Sequence, residues 1–319
     1  MIFLGIDTSC YTTSVAAVDG DGNIIQHKRR LLSVAEGERG LRQSEAFFKH
    51  INNFPDLYKE LLSDVDPKEI TAICVSTQPR NIGNSYMPVF FAGRRLAESI
   101  AMSLNVPLFS TDHQQGHIAA ATYGVEMPKD TFCAVHLSGG TTEVLLVKKT
   151  DTEYKTKIIA QTKDINAGQL IDRLGVKMKL SFPSGKEVDK NACLYKGEKI
   201  VLPISATYDS CNFSGTETAA IREYENGASV ECLSEAIMSA ITRTLAKMVG
   251  GAAYYAGVSD VLMAGGVSSS EYLRKNLPIY LEKKGMHVNL RFSPVEFSSD
   301  NAVGVALLGR NKYIYRGKK

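Results

Sequence analysis

The stretch Phe132-Cys133-Ala134-Val135-His136-Leu137, Ser138-Gly139-Gly140-Thr141-Thr142, Glu143-Val144-Leu145-Leu146-Val147 has the form strand, polar glycine turn, strand. A second turn at Lys149-Thr150-Asp151-Thr152 and a third apolar run, Lys157-Ile158-Ile159-Ala160, complete a β-meander. The chain opens on the same pattern. Met1-Ile2-Phe3-Leu4-Gly5-Ile6 is an apolar run, Asp7-Thr8-Ser9-Cys10 turns, and Ser14-Val15-Ala16-Ala17-Val18 resumes as a strand. Asp19-Gly20-Asp21-Gly22-Asn23 is a hairpin turn, and Ile24-Ile25-Gln26-His27 returns as the third strand.

Alternating α and β signals follow each meander. Residues 46–62 and 89–104 carry apolar residues at helical spacing, with the buried strand Ile70–Val75 between them. In the second half the pattern predicts a long helix over 231–255, a strand at 260–263, a helix over 269–284, a strand at 288–292 and a last helix over 301–313. The repetition implies a duplicated α/β fold, two related halves around a cleft. The expected division is a first lobe of residues 1–110 plus about 296–319, and a second lobe of 111–295.

Three polar loops stand at matching places: Asp7–Cys10, Ser138–Thr142 and Ala264-Gly265-Gly266-Val267-Ser268-Ser269-Ser270. Glycine and hydroxyl residues there let backbone amides approach phosphate oxygens, and a helix N-terminus favours an anion. Each loop alone reads equally well as an ordinary turn; three together favour a nucleotide cleft. A further stretch, Asp112-His113-Gln114-Gln115-Gly116-His117, follows the strand-like Val106–Ser110 and opens a small-residue helix, Ile118-Ala119-Ala120-Ala121. Histidines at i and i+4 share one helix face and can hold one metal ion. By itself the pair reads first as a capped helix with solvated imidazoles.

Bulk properties narrow the field. With 44% hydrophobic and 22% charged residues in 319, the chain is expected to be soluble and to bury a sizeable core. A net charge of +3 neither requires nor excludes nucleic acid, and the basic run Arg310–Lys319 reads first as a solvated end. The six cysteines (10, 74, 133, 193, 211 and 232) form no CxxC pair, and several lie in strand-like runs. That suits buried thiols in a reducing compartment. No stretch approaches a membrane span and no leader is evident, so a cytoplasmic protein is expected.

Taken together these motifs resemble the actin/sugar-kinase/Hsp70-like ATPase fold, with two RNase H-like halves around a nucleotide cleft. Within it the chain is similar to the tRNA N6-adenosine threonylcarbamoyltransferase (TsaD) family. Leu4-Gly5-Ile6-Asp7-Thr8-Ser9-Cys10 matches that family's LGIETSC, His113-Gln114-Gln115-Gly116-His117 its HxEGH, and Ser138-Gly139-Gly140-Thr141-Thr142 its SGGxT loop. Ala167–Arg173 stands for AGEAFDK, Phe182–Gly185 for YPGG, Asn212–Ala219 for FSFSGLKTA, Gly265–Arg274 for GGVAANxxLR, and Ser298–Ala302 for CTDNAA. The resemblance implies Asp300 as third metal ligand beside His113 and His117, with iron(II) or zinc equally suited. Asp300 would otherwise read as a helix N-cap. It further implies nucleotide contacts at Ser138, Gly139, Gly140, Asp172, Gly185 and Ser270. The expected donor is an adenylate, threonylcarbamoyl-AMP, with ATP or AMP as related ligands. The expected acceptor is N6 of the tRNA adenosine beside the anticodon, and TsaB- and TsaE-like proteins are the expected partners.

Departures accompany the likeness. Tyr11 and Thr12 replace an acidic pair, Gln115 replaces the glutamate of HxEGH, and Gln78–Pro88 replaces a glycine-rich loop. Glu217 stands where the family has lysine, Ser270 where it has asparagine, and Gln43-Ser44-Glu45 only echoes its PE motif. Two alternatives therefore stand beside tRNA modification: a paralogue carbamoylating another acceptor, and a non-catalytic nucleotide-binding scaffold. A metalloprotease is disfavoured because Gln114 holds the place of the general-base glutamate after the first histidine.

Overall fold

The computed structural model describes residues 1–9, 11–33, 41–81 and 87–316. Two units cluster separately: Met1–Tyr123 with Lys149–Lys155 and Ser299–Lys319, and Gly124–Lys148 with Thr156–Ser298. Cys10 and residues 82–86 of the Gln78–Pro88 loop lie outside the described residues.

The first unit is built on the strands β1 (Ile2–Ser9), β2 (Thr12–Asp19), β3 (Ile24–Leu31), β4 (Ile70–Ser76) and β5 (Leu108–Thr111), in the order β3-β2-β1-β4-β5. β1 runs antiparallel to β2 and parallel to β4, and β4 parallel to β5. Every residue of β1 is buried. A central strand covered on both faces needs apolar side chains on both, which is why Ile2, Phe3, Leu4 and Ile6 run without alternation. Its helices are α1 (Gln43–Leu61), α2 (Phe90–Leu104), α3 (His113–Ala121) and, from the far end of the chain, the last helix Val303–Tyr315.

Helix α1 buries Ala46, His50, Phe54, Leu57 and Leu61 at helical spacing. His50 is fully buried; its Nδ1 bonds the Thr13 hydroxyl at 2.9 Å, while its Nε2 has no hydrogen-bond partner among the described residues. Burial pushes its pKa down to about 4, against a smaller upward pull from Asp7. The folded state therefore keeps His50 neutral where the unfolded chain takes up a proton. This contribution is fully present above pH 6.5 and lost as pH falls through the window toward 4. Urea denaturation should show a loss of about 2–3 kcal/mol across it, and His50→Gln should flatten that slope.

The second unit repeats the topology. Its strands are β6 (Thr131–Leu137), β7 (Thr142–Lys149), β8 (Tyr154–Thr162), β9 (Ser205–Ala206), β10 (Ser210–Asn212), β11 (Asp260–Ala264) and β12 (Asn289–Phe292). The order β12-β11-β6-β7-β8 is the first sheet's order read backwards, extended by β10 and β9. β6 is antiparallel to β7 and parallel to β11, and β11 is parallel to β12, as β1 is to β2 and β4, and β4 to β5. The duplication expected from the two meanders is present.

Three helices escape the periodicity reading: α4 (Ala167–Lys177), α5 (Gly185–Leu194) and α6 (Ser214–Glu225). In α5 and α6 small or charged residues leave narrow apolar stripes, whereas α4 buries Ala167, Leu170, Ile171 and Leu174 at helical spacing. Asn166 and Gln169 also form a capping box on α4. Helix α7 (Val230–Ala256) is buried on nearly every side and fills the core of this unit. The helix expected from Ser269 begins later, as α8 (Glu271–Lys283), because Ser270 caps it by accepting from Leu273 N at 3.0 Å. The last helix, α9 (Val303–Tyr315), likewise starts two residues beyond its expected Asn301.

The first unit runs past the boundary expected at residue 110. Helix α3 belongs to it because α3 and α9 pack backbone to backbone. A Cβ on Gly304 would lie 1.9 Å from Gly116 O and 2.6 Å from Ala120 N. Five of the six cysteines are described and free, and burial pushes the thiols of Cys74 and Cys133 up to about 12, which makes them inert packing residues. Among the described residues no helix is long and apolar enough to cross a membrane.

Candidate metal centre and substrate loops

Asp112 precedes α3 in extended conformation and caps it, accepting from Gln115 N at 2.9 Å. The cap fixes the first turn of α3, and with it the face that carries His113 and His117. Their rings meet edge to face, 4.3 Å apart between centroids. Asp300 arrives from the turn before α9. Its Oδ1 lies 3.1 Å from His117 Nε2 and 3.7 Å from His113 Nε2. Asp300 is not the N-cap of α9: that position is Ala302, which offers no side-chain cap, and the Oδ1 of Asn301 accepts from Val303 N at 3.0 Å just ahead of it. Arg29 of β3 holds the same turn, donating to Ser299 Oγ at 2.6 Å.

One ligand atom from each of His113, His117 and Asp300 lies within 4.8 Å of the others. Donors about 2.0–2.2 Å from a tetrahedral ion stand about 3.4 Å apart, so side-chain adjustments on the order of 1 Å close the set on a metal. Electrostatics agree with that fit. Burial disfavours the His113 imidazolium, but the Asp7 carboxylate, with help from Asp300 and Asp112, outweighs it and holds the pKa up at about 9. Burial likewise opposes the charge on Asp7, yet His113 and the Ser76 hydroxyl keep it below the usual carboxylate range. Carboxylates that converge on two imidazoles form a cation site.

Gln115 does not join the ligands. Its Nε2 donates to Asp112 Oδ2 at 2.5 Å, and its Oε1 accepts from Tyr154 N at 3.0 Å. A glutamate here would set a second carboxylate against Asp112 with no proton to share. The amide is the complement of Asp112, and it tethers residue 154 to the first unit.

In the second unit the 138–142 turn is closed internally. Ser138 N–H donates to Thr141 O at 2.8 Å and Gly140 N–H to Ser138 Oγ at 3.2 Å. Helix α4 abuts it: Ala167 N–H donates to Thr142 Oγ1 at 2.8 Å, and a Cβ on Gly168 would lie 2.7 Å from Gly139 N and Ser138 O. Gly265, at φ +90°, passes just as close to Leu137 O. Asp172, half-buried on α4, accepts from Ser184 N at 2.8 Å, and burial raises its pKa. Gly185 opens α5 with open space around its Cα. Thus Ser138, Gly139, Gly140, Asp172 and Gly185 gather about the first turns of α4 and α5. Ser270 stands differently: its hydroxyl donates to Asp189, which also accepts from Glu271 N at 2.9 Å and Tyr272 N at 3.1 Å. It is spent on the start of α8.

Sequence reasoning took Asp7 as the head of a polar turn, where the structure continues β1 through Ser9, and assigned no site role to Asp112 or Asp189. Asp7 could have been found, since it is the charged residue of the first strand's apolar run. Asp189 carries no local signal. The charge reversal at Glu217 is matched by Arg173 of α4, 3.4 Å away.

A family model described as tRNA N6-adenosine threonylcarbamoyltransferase matches residues 32–307. A probable bifunctional tRNA threonylcarbamoyladenosine biosynthesis protein of Methanothermobacter thermautotrophicus is 32% identical over 99% of this chain, which spans 57% of that protein's length. The tRNA N6-adenosine threonylcarbamoyltransferase of Thermosipho africanus is 28% identical over 98% of this chain and 94% of its own. Among solved structures, HypF of T. kodakarensis superposes with a TM-score of 0.63 at 15% identity, covering 98% of this chain and 48% of HypF. That likeness is one of fold, the actin/sugar-kinase/Hsp70-like class.

Proposed function

Because the chain belongs to the tRNA N6-adenosine threonylcarbamoyltransferase family, an acyltransferase family, we propose that it moves a threonylcarbamoyl group from an acyl-adenylate to N6 of the tRNA adenosine beside the anticodon. The observation that carries this reading is the convergence of His113, His117 and Asp300, drawn from distant parts of the chain onto one point. A divalent ion held there, iron(II) or zinc, supplies Lewis-acid polarisation and orientation of the carbamoyl donor. The chain's own residues do the rest. The 138–142 turn and the amides at the start of α4 and α5 receive the adenylate, and the Asp172 carboxylate accepts from ribose hydroxyls. With their Nε2 lone pairs given to an ion, His113 and His117 would have none left to accept a proton, so neither serves as general base. The role left to the protein is positioning and charge stabilisation. We take the reaction to be cytoplasmic, with TsaB- and TsaE-like proteins as partners.

The deciding experiment incubates the purified chain with threonylcarbamoyl-adenylate and unmodified tRNA and reads modified adenosine by mass spectrometry. Transfer with AMP release is expected; no modified adenosine, with partner proteins added, overturns the tRNA acceptor. A second reading, carbamoylation of a different amine, is favoured by Tyr11 and Thr12 in place of an acidic pair and by Ser270 being engaged by Asp189. AMP release with another acceptor, without tRNA modification, would select it.

A further inference from the structure

Asp7 is fully buried in the first unit, on the central strand β1. Three partners surround its carboxylate. Ser76 of β4 donates to Oδ1, and Ser9 donates to Oδ2 at 2.8 Å. The third is His113, whose Nδ1 lies 3.1 Å from Oδ2 and 3.3 Å from Oδ1. The two hydroxyls pin the carboxylate between neighbouring strands, where it has no freedom to follow a moving imidazole. The other nitrogen of the same ring, Nε2, faces Asp300.

From this geometry we infer that Asp7 is the positioning residue of the metal centre: it holds the proton on His113 Nδ1 and aims the Nε2 lone pair at the ion. The inference rests on the metal reading above. A neutral imidazole carries one N–H and one lone pair; Asp7 lies 3.1 Å from Nδ1, within hydrogen-bond reach, whereas Asp300 is 3.7 Å from Nε2, so the hydrogen is held on the Nδ1 side. Asp7 accepts that hydrogen, so the tautomer that ligates through Nε2 is the one the fold provides. Its negative charge also raises the basicity of the ligating nitrogen and, with Asp300, balances a divalent ion. His117 reaches the same point through its own Nε2, so both rings present the same nitrogen.

Cobalt(II) and zinc(II) titrations of the purified chain test this, with Asp7→Asn as the first variant. The amide keeps the shape and removes the charge. Metal affinity should fall roughly 10- to 100-fold, with a changed cobalt visible spectrum and the His113 Nδ1 proton lost or exchanging in nitrogen-15 spectra. Should Asp7→Asn not fold, Ser76→Ala decides, because it frees one carboxylate oxygen while leaving the charge; it should weaken metal binding in the same direction and alter the same spectrum. Wild-type affinity and spectrum in a folded variant overturn the inference while leaving the metal reading intact. A wild-type chain that binds neither ion overturns both.

Discussion

His117→Ala is expected to empty the metal centre and to remove transfer activity. His117 is the most enclosed of the three ligands, its side chain 6% exposed, and its Nε2 makes the shorter of the two imidazole approaches to Asp300, 3.1 Å against 3.7 Å. Two ligands on a half-open site do not retain a catalytic ion, so the loss should exceed the roughly 100-fold that changes behind a ligand produce. Alanine is the best helix former, and α3 already carries alanine at 119, 120 and 121, so the fold should survive. Elemental analysis should fall from near one ion per chain to near none, together with adenosine modification in the transfer assay. Full metal content and full activity in the variant would rule out the triad. A scaffold without catalysis predicts a third result: partner assembly unchanged and no wild-type activity to lose.

The second large effect is on stability. Gly304→Ala should cost about 3 kcal/mol or more, because its Cβ would meet Gly116 O at 1.9 Å and Ala120 N at 2.6 Å. These are backbone atoms, and no rotamer relieves them. Helices α3 and α9 would have to part, and α9 is also held from its other side. There a Cβ on Gly5 would lie 2.4 Å from Ala302 O, and one on Gly309 would lie 2.5 Å from Cys74 Cβ. Asp300 travels with the start of α9, so the same substitution should weaken metal binding. Urea denaturation measures the first effect and metal titration the second. Gly215→Ala is the control, since its Cβ would meet nothing within 4 Å; a destabilisation of the same size there would refute the clash.

Much of the fold was legible because strand and turn signals are local. Alternation, buried runs and the Asp19–Asn23 hairpin turn announce each meander within a few residues. Helices α5 and α6 were not legible, because their small and charged residues leave too narrow an apolar stripe for periodicity to register. The signal of α4 was there to read, in Leu170, Ile171 and Leu174 at helical spacing and in the Asn166/Gln169 capping box. The metal ligands were legible in part. His113 and His117 share a helix face by spacing alone, whereas Asp300 entered only through the family resemblance.

By itself the sequence determined the duplicated α/β plan, the two histidines and the loops that flank them, because each follows from hydrogen bonding and burial among near neighbours. Only the tertiary structure decided what those residues face. Asp7 meets His113 across 106 positions of chain, and Asn301 rather than Asp300 takes the N–H of Val303 at the start of α9. Gln115 turns to Asp112 and Tyr154, and Ser270 to Asp189. Such pairings arise where separate elements pack, and a side chain's partner across a packed interface leaves no periodic trace in the chain that carries it.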